Sequence, residues 1–405
     1  MLAIEKQLDG LREWLNAAQD NVLSIYADVH PGKPENAGRA WVKRVKNALK
    51  EIPEIRDRQG RRDEPLYEQV MGLLEADRPE ARTLALFAHR DAEGRLHLER
   101  LDLQVELPVV DLARGRVEAR YGAPYVTPLW FAVDEYERAG ILLLAGARWR
   151  FFEVFLGEIR EGEDVFPQIS ASDWKELEES SRRISAELGA RSLRPGGRFE
   201  KLSPRERAAA RTGAWLHRLY GSLARLVEQT ADRLAIERLV LAGEQWQTSH
   251  FETYFSRHMQ QRVAARVPLW PEAQQASPAA VWRQLEPVLL EAERRGELKL
   301  LDEIRERPGL WGADAVLNAL QLGRVQLWVL PWSMDLKVWR CPEEGFVAAS
   351  QEVAGQVCVH PAEVDLRDHV WALASDYGAD LEFVRGEAER RLMEEMGGMA
   401  ALVRW

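Results

Sequence analysis

The spacing of apolar residues over the first 125 positions predicts a small α/β domain. Apolar residues recur at helical spacing over 3–17, which indicates an amphipathic helix. The run 21–30 is rich in β-forming residues and ends in a Pro-Gly turn, which predicts a strand. A second helix is expected over about 37–51, and two strands over 82–103 complete the domain.

The middle of the chain, 126–270, shows the pattern of a second α/β domain. YGAPYVTPLW at 121–130 contains two prolines and a glycine and predicts a linker. Ser172 is expected to cap a polar helix, and Ser203-Pro204 is a signature for the start of a long one. The expected elements are two strands within 141–159, helices over 170–188, 204–231 and 246–258, and strands over 236–244 and near 262–270.

The last third, 271–405, predicts a third α/β domain with helices on a small sheet. The expected elements are a long helix over 277–306, a short helix and a strand over 314–330 divided at Gly323, two short strands around Cys341-Pro342, a helix over 362–377, and a strand, a helix and a terminal strand after Gly378. The fold class is therefore α/β, with three consecutive α/β domains at 1–125, 126–270 and 271–405.

Charge is distributed unevenly along these segments. The chain of 405 residues has a net charge of −10, which divides into −2, +1 and −9 over the three predicted domains. Within 182–218 ten arginine and lysine residues face only three glutamates, and "SLRPGGRFEKLSPRER" at 192–207 holds two glycines among them. Such a local field attracts phosphates even on an acidic protein. A charged but merely solvated surface is the alternative.

A second basic surface is predicted on the helix at 37–51. Arg39, Lys43, Lys46 and Lys50 are spaced by 4, 3 and 4 positions and so share one face. This face is a candidate RNA-binding surface, although a solvated helix face explains the same spacing.

Several kinds of chemistry lack their motifs. No phosphate-binding GxxxxGK[ST], GxSxG, HExxH or EF-hand sequence is present, so we expect no cofactor. Cys341, Cys358 and His360 could supply three zinc ligands, but the paired Cys-x-x-Cys spacing is missing, so no metal is expected and a buried cysteine is favoured. His217 is expected to be a surface residue rather than a general base.

The remaining composition favours a cytoplasmic protein. Two cysteines cannot form a disulfide framework. The start of the chain lacks the apolar region of a secretory signal. The longest apolar run, near 141–147, is too short to cross a bilayer.

The order of these parts resembles the bacterial branch of the archaeo-eukaryotic class-1 release factor and Pelota superfamily. The similarity lies in the Gly-Gly loop before a long basic helix, in "LNALQLGRV" at 317–325, and in the terminal "GGMAALVRW" at 397–405. The resemblance implies a ribonuclease-H-like middle domain and a last domain like the kink-turn-binding ribosomal proteins. It also implies that the family's Gly-Gly-Gln loop, which enters the peptidyl-transferase centre, corresponds to Gly196-Gly197-Arg198.

Arginine in place of glutamine changes the chemistry that this loop can perform. Arg198 has five donors and no acceptor and stays protonated, so its side chain cannot hold an attacking water through a carbonyl. No catalytic residue is therefore predicted, and a non-hydrolytic role in hibernation or stalled-ribosome sensing is favoured. The glycines can still press backbone against RNA, so peptidyl-tRNA hydrolysis in release or rescue stays an alternative.

The resemblance also implies the partners. We expect ribosomal RNA at the A site, a translational GTPase such as elongation factor Tu, no membrane and no DNA. The predicted RNA-binding residues are Arg191, Arg194, Arg198, Lys201, Arg205, Arg207, Arg211, Arg218, Arg39, Lys43 and Lys46. A stand-alone RNA-binding or structural protein with an exposed loop is a further alternative.

Overall fold

The computed structural model shows two compact units. The described residues are 2–17, 21–52, 64–91, 93–107, 117–145, 148–186, 204–307, 309–333, 336–343 and 345–404. One unit, the split unit, combines Met1–Tyr136 with Glu293–Trp405, and the other, the middle unit, is Glu137–Ala292. The first and last predicted domains thus contribute to the same compact unit.

The described residues contain thirteen α-helices and sixteen strands. The helices are α1 (Ala3–Ala17), α2 (Ala40–Lys50), α3 (Glu64–Ala76), α4 (Thr127–Glu135), α5 (Ala171–Ala186), α6 (Pro204–Arg233), α7 (Gln245–Glu252), α8 (Arg257–Gln261), α9 (Pro278–Glu306), α10 (Ala313–Gln321), α11 (Gln351–Ala354), α12 (Val370–Tyr377) and α13 (Gly386–Met396). The strands are β1 (Val22–Asp28), β2 (Thr83–Arg90), β3 (Leu96–Leu103), β4 (Val117–Gly122), β5 (Ala139–Leu143), β6 (Arg150–Phe155), β7 (Glu158–Glu161), β8 (Arg238–Ala242), β9 (Val263–Val267), β10 (Gly309–Trp311), β11 (Val325–Pro331), β12 (Lys337–Arg340), β13 (Val347–Ala348), β14 (Ala362–Asp365), β15 (Asp380–Val384) and β16 (Ala400–Val403). The predicted α/β class is confirmed.

The first sheet of the split unit is antiparallel and covered on both faces. Its strand order is β3-β2-β1-β4, and all seven residues of β1 are buried. One face packs against Trp41 and Val45 of α2 and Val70 of α3. On the other face Trp14 of α1 lies 6.4 Å from Phe87, measured between ring centroids. Helices on both faces explain why this interior strand is buried along its whole length.

The second sheet of the split unit contains the terminal motif. Its strand order is β10-β16-β11-β15, with β11 and β15 parallel and β16 antiparallel to both of its neighbours. Gly397 and Gly398 have φ values of +67° and +80°, a left-handed conformation that favours glycine. They end α13 and turn the chain into β16. Residues 397–403 of the terminal motif therefore form a helix stop followed by an interior strand.

The predicted linker at 121–130 is wrong. The chain there forms the end of β4 and then α4, whose Pro128 lies in the first helical turn, where its missing N–H is not needed. Phe131 packs against Trp332 and Phe383, with ring centroids 4.0 and 6.2 Å away. Asp134 Oδ2 accepts a hydrogen bond of 2.8 Å from Phe383 N at the outer edge of β15. The helix is thereby tied to the second sheet.

A third, small sheet carries the cysteines. Its strand order is β13-β12-β14. Cys341 is buried, as expected, and it is joined to Cys358 by a disulfide across 17 positions, a pairing that the sequence analysis did not predict. The helix predicted over 362–377 is also partly wrong, because the chain forms β14 first and α12 only from Val370.

The middle unit is built on one mixed sheet with the strand order β7-β6-β5-β8-β9. β6 is antiparallel to both of its neighbours, β5 and β7, whereas β5, β8 and β9 run parallel. Leu142, Leu239 and Leu241 from this sheet join Leu216 and Leu223 of α6 in one core cluster. The long helix is therefore packed directly on the sheet.

No helix among the described residues has the length and apolar character needed to cross a bilayer.

Candidate nucleic-acid interface

The predicted Gly-Gly-Arg loop lies between two helices of the middle unit. α5 ends at Ala186 and α6 begins at Pro204, which confirms the predicted start of the long helix. The loop residues and the first side chains of α6 lie outside the described residues. They are Arg191, Arg194, Gly196, Gly197, Arg198, Lys201, Arg205, Arg207 and Arg211. What the structure describes is the frame from which the loop extends.

The start of α5 is held by a capping box. Ser170 Oγ accepts a hydrogen bond of 3.1 Å from Asp173 N, and Asp173 Oδ2 accepts from Ser170 N at 3.3 Å. The cap is therefore Ser170, and the prediction of Ser172 is wrong by two positions. Trp174 and Leu177 then bury this helix in the core of the middle unit.

The centre of α6 is anchored by aromatic packing around Tyr220. The ring of Tyr220 is fully buried and lies 5.7 Å from Trp149 and 5.5 Å from Phe251. Burial raises the pKa of Tyr220 well above its usual range. The predicted apolar face of α6 is confirmed on both sides of Tyr220, because Leu216, Leu219 and Leu223 are buried. The centre of α6 is therefore fixed against the core of the middle unit.

A histidine and tyrosine cluster lies beside this anchor. His217 Nδ1 is 3.0 Å from the Tyr254 hydroxyl, which is 3.4 Å from His250 Nε2. Burial lowers the pKa of His250, and the charge of His217 lowers it further. Burial raises the pKa of Tyr254. His217 is exposed, as predicted, and the three rings add aromatic surface next to the basic helix.

Sequence reasoning missed Tyr254 and His250 as neighbours of His217. The hydrogen bond between His217 and Tyr254 joins residues 37 positions apart. Helical spacing links Tyr254 to His250, but no local pattern links either of them to α6.

The described arginine side chains within 182–218 differ in whether they form ion pairs or hydrogen bonds. Arg182 pairs with Glu178 at 2.6 Å, and Arg183 donates to Ser180 Oγ at 3.2 Å. Arg218 is exposed and has no hydrogen bond or ion pair among the described residues. Of the predicted RNA-binding residues in the middle unit, Arg218 is the one with a described side chain, and it is open to an anion.

The predicted basic face of α2 is smaller than expected. Lys43, Lys46 and Lys50 are exposed on the helix. Arg39 instead precedes the helix in a left-handed conformation (φ +62°), and its guanidinium donates to Glu75 O at 2.7 Å and Leu74 O at 2.6 Å. It therefore caps the carbonyl end of α3 and does not continue the lysine row.

Metal ligands are not clustered in the part of the chain that the structure describes: no three His, Cys, Asp or Glu side chains are placed to hold an ion. The sulfurs of Cys341 and Cys358, considered above with His360, are bonded to each other.

Residues 124–289 match the sequence profile of bacterial archaeo-eukaryotic release factor family 10. This segment covers nearly all of the middle unit and includes α5, the loop and α6. Residues 124–289 are therefore similar to this bacterial release-factor family, in agreement with the superfamily resemblance seen in the sequence. No curated protein matches the chain in sequence.

Solved structures of the superfamily align along most of the chain. An archaeal translation termination factor, aRF1, is 14% identical, with 100% of this chain and 99% of that chain covered, at a TM-score of 0.23. Pelota from Archaeoglobus fulgidus is 12% identical over 80% and 79%, at a TM-score of 0.31. Dom34 from S. cerevisiae, a termination-like factor that interacts with Hbs1, is 8% identical over 80% of each chain, at a TM-score of 0.36.

Proposed function

We propose that this protein is a ribosome-binding, release-factor-like protein whose Gly-Gly-Arg loop lies near the peptidyl-transferase centre and does not hydrolyse peptidyl-tRNA. The observation that carries the proposal is the family match over 124–289, because this segment contains the loop together with α5 and α6. The exposed Arg218 and the excess of ten basic residues over three glutamates within 182–218 support contact with RNA phosphates.

The topology supports the domain assignments that go with this function. Three antiparallel strands followed by two parallel ones, in the order β7-β6-β5-β8-β9, suit a ribonuclease-H-like middle domain. The glycine turn and central strand formed by the last residues suit a domain like the kink-turn-binding ribosomal proteins.

A non-hydrolytic role follows from the side chain at position 198. A guanidinium can grip a phosphate or stabilise negative charge, but it cannot accept a proton from an attacking water. The protein then acts in the cytoplasm by occupying the A site of idle or stalled ribosomes. The acidic last third, with a net charge of −9, is left for a protein partner such as elongation factor Tu.

Peptidyl-tRNA hydrolysis is the second candidate, and the retained Gly196-Gly197 pair favours it. Glycine lets backbone approach RNA closely, and backbone N–H groups can orient a water and stabilise an oxyanion. In that case the side chain of Arg198 only positions the loop.

Co-sedimentation with 70S ribosomes tests ribosome binding. Co-migration at low salt should weaken steeply as salt rises, with a log–log slope near −0.7 per phosphate contact for single-stranded RNA. Arg198→Ala should weaken binding and flatten the slope by about 0.7, whereas the matched control Arg182→Ala, whose guanidinium already pairs with Glu178, should bind normally. Gly197→Val should bind less than Arg198→Ala. No co-migration at low salt would refute ribosome binding.

Ester hydrolysis of a model peptidyl-tRNA on ribosomes separates the two candidates. The non-hydrolytic proposal expects no release above the rate without protein. Release that persists in Arg198→Ala would instead establish hydrolysis by the loop backbone.

A further inference from the structure

The small sheet of the split unit has only a few buried apolar side chains around its disulfide. Its buried cluster consists of Cys341, Ala348 and Ala354, with only half-buried side chains packed around it. So small an apolar cluster gives the four-residue helix α11 little to hold it in place without a cross-link. The disulfide therefore stabilises this region in the way that a larger hydrophobic core stabilises other sheets.

The two sulfurs differ in accessibility. Cys341 is fully buried, and its Sγ lies 3.5 Å from the carbonyl oxygen of Ala354. Cys358 is only half-buried and follows α11 between two exposed valines, Val357 and Val359, the latter 86% exposed. A thiol from solution can approach Cys358, whereas Cys341 is shielded from it.

The backbone around the disulfide also divides into an anchored and an unanchored part. Gln321 of α10 holds β13 from outside, because its side chain accepts from Val347 N at 2.8 Å and donates to Val347 O at 2.7 Å. Among the described residues, α11 is held by its Ser350 cap, by Ala354 in the small buried cluster and by the bond through Cys358. Loss of the disulfide would consequently release α11 and the valines beside it and leave β13 in place.

We propose that Cys341–Cys358 is a reversible thiol–disulfide site, opened by a dithiol reductant, that switches the segment from Ser350 to Val359 between an ordered and a loose state. The three exposed valines of this segment, Val353, Val357 and Val359, form an apolar surface whose order depends on the bond.

The exchange begins at the accessible sulfur. A thiolate of the reductant attacks Cys358 Sγ, the protein S–S bond breaks, and Cys341 leaves as a thiolate that takes up a proton. The second thiol of the reductant, on losing its proton, attacks the mixed disulfide and releases Cys358, which is also protonated. The protein gains two electrons and two protons, and the reductant leaves as its own disulfide. The reduced Cys341 thiol then faces the Ala354 oxygen, to which it can donate a hydrogen bond.

Hydrogen exchange of the full chain, followed by mass spectrometry with and without dithiothreitol, tests the proposal. Closing a loop of this length is worth about a hundredfold in the local ordering equilibrium, so amides of α11 should exchange about 100-fold faster after reduction. Peptides that contain Val347, and all peptides of the middle unit, should be unchanged. Oxidised glutathione should restore slow exchange, and a Cys341→Ser/Cys358→Ser variant should exchange fast under both conditions.

Three outcomes would overturn the proposal. Equal exchange of α11 in the two states would show that the bond does not control its order. Alkylation of two thiols in protein kept under oxidising glutathione would show that the bond does not form. One equivalent of zinc bound tightly by the reduced protein would show a metal site in place of a redox site. None of these results bears on ribosome binding, which sedimentation tests separately.

Discussion

A buried carboxyl group in the split unit predicts how its stability depends on pH. Glu297 of α9 is 0% exposed. Its Oε1 lies 3.0 Å from Arg294 Nη1 and accepts a hydrogen bond of 3.2 Å from Arg385 N, whereas Oε2 has no hydrogen-bond partner among the described residues. Burial outweighs the attraction of Arg294 and raises the pKa of Glu297 to about 8.

The sign of the effect follows from proton binding. The unfolded glutamate has a pKa near 4.5, so between that value and about 8 the folded protein holds a proton that the unfolded chain lacks. Stability contributed by this group is complete below pH 4.5 and is lost as the pH rises towards 8. At about 1.4 kcal/mol per pH unit, the free energy of unfolding should fall by about 2 kcal/mol between pH 6 and pH 8 because of Glu297 alone.

Glu297→Gln removes the titrating group and should flatten this part of the profile. Urea denaturation at pH 6, 7 and 8 gives the difference in unfolding free energy between the variant and the wild type, and this difference should change by about 2 kcal/mol in favour of the variant. Glu306→Gln, an exposed glutamate at the end of the same helix, is the matched control and should run parallel to the wild type. If the profiles of Glu297→Gln and the wild type run parallel, Glu297 does not cause this loss of stability with rising pH.

Three further substitutions test the frame of the loop and the second basic surface. Ser170→Ala should lower stability by about 1 kcal/mol in thermal unfolding through loss of the capping box, whereas Ser172→Ala should change little. Leu223→Ala should cost about 2–5 kcal/mol, because the side chain is fully buried between α6 and the sheet, and near-wild-type stability would contradict the packing. Reversing Lys43 and Lys46 to glutamate should leave folding intact and reduce ribosome co-sedimentation if α2 contacts RNA; unchanged binding would remove this surface from the interface.

Long elements with sustained periodicity could be predicted from the sequence. α1, α6 and α9 span 15, 30 and 29 residues, and their apolar spacing is unambiguous over that length. The strands β1 and β8 can also be predicted from the sequence, because most of their residues are apolar. These elements were sufficient for the α/β class and for the order of the parts.

The misses have local physical causes. Composition suggested a linker at α4, yet its proline occupies a position that helices accept, and the packing of Phe131 on Trp332 and Phe383 decides the structure. β14 is tied by its pairing with β12, which a helical reading of 362–377 cannot show. The spacing of Arg39 fits the lysine row. Its guanidinium instead donates to two carbonyl groups at the end of α3, 35 and 36 positions away, which no local spacing can predict.

The candidate site was predictable only in part. The start of α6 at Pro204 and its buried face follow from sequence signals, so the frame of the loop could be expected. The cluster of His217, Tyr254 and His250 could not, since it depends on how α6 packs beside α7 and the turn after it.

The carboxylate of Asp134 has a consequence for self-association. β15 is an edge strand of its sheet. Unpaired backbone N–H and C=O groups on an edge strand can form hydrogen bonds with a strand of another molecule. At Phe383 the backbone N–H is already hydrogen-bonded to the carboxylate of Asp134 in the same molecule. When the protein is concentrated, a neighbouring copy therefore finds no free backbone N–H at this position with which to begin an intermolecular β-sheet.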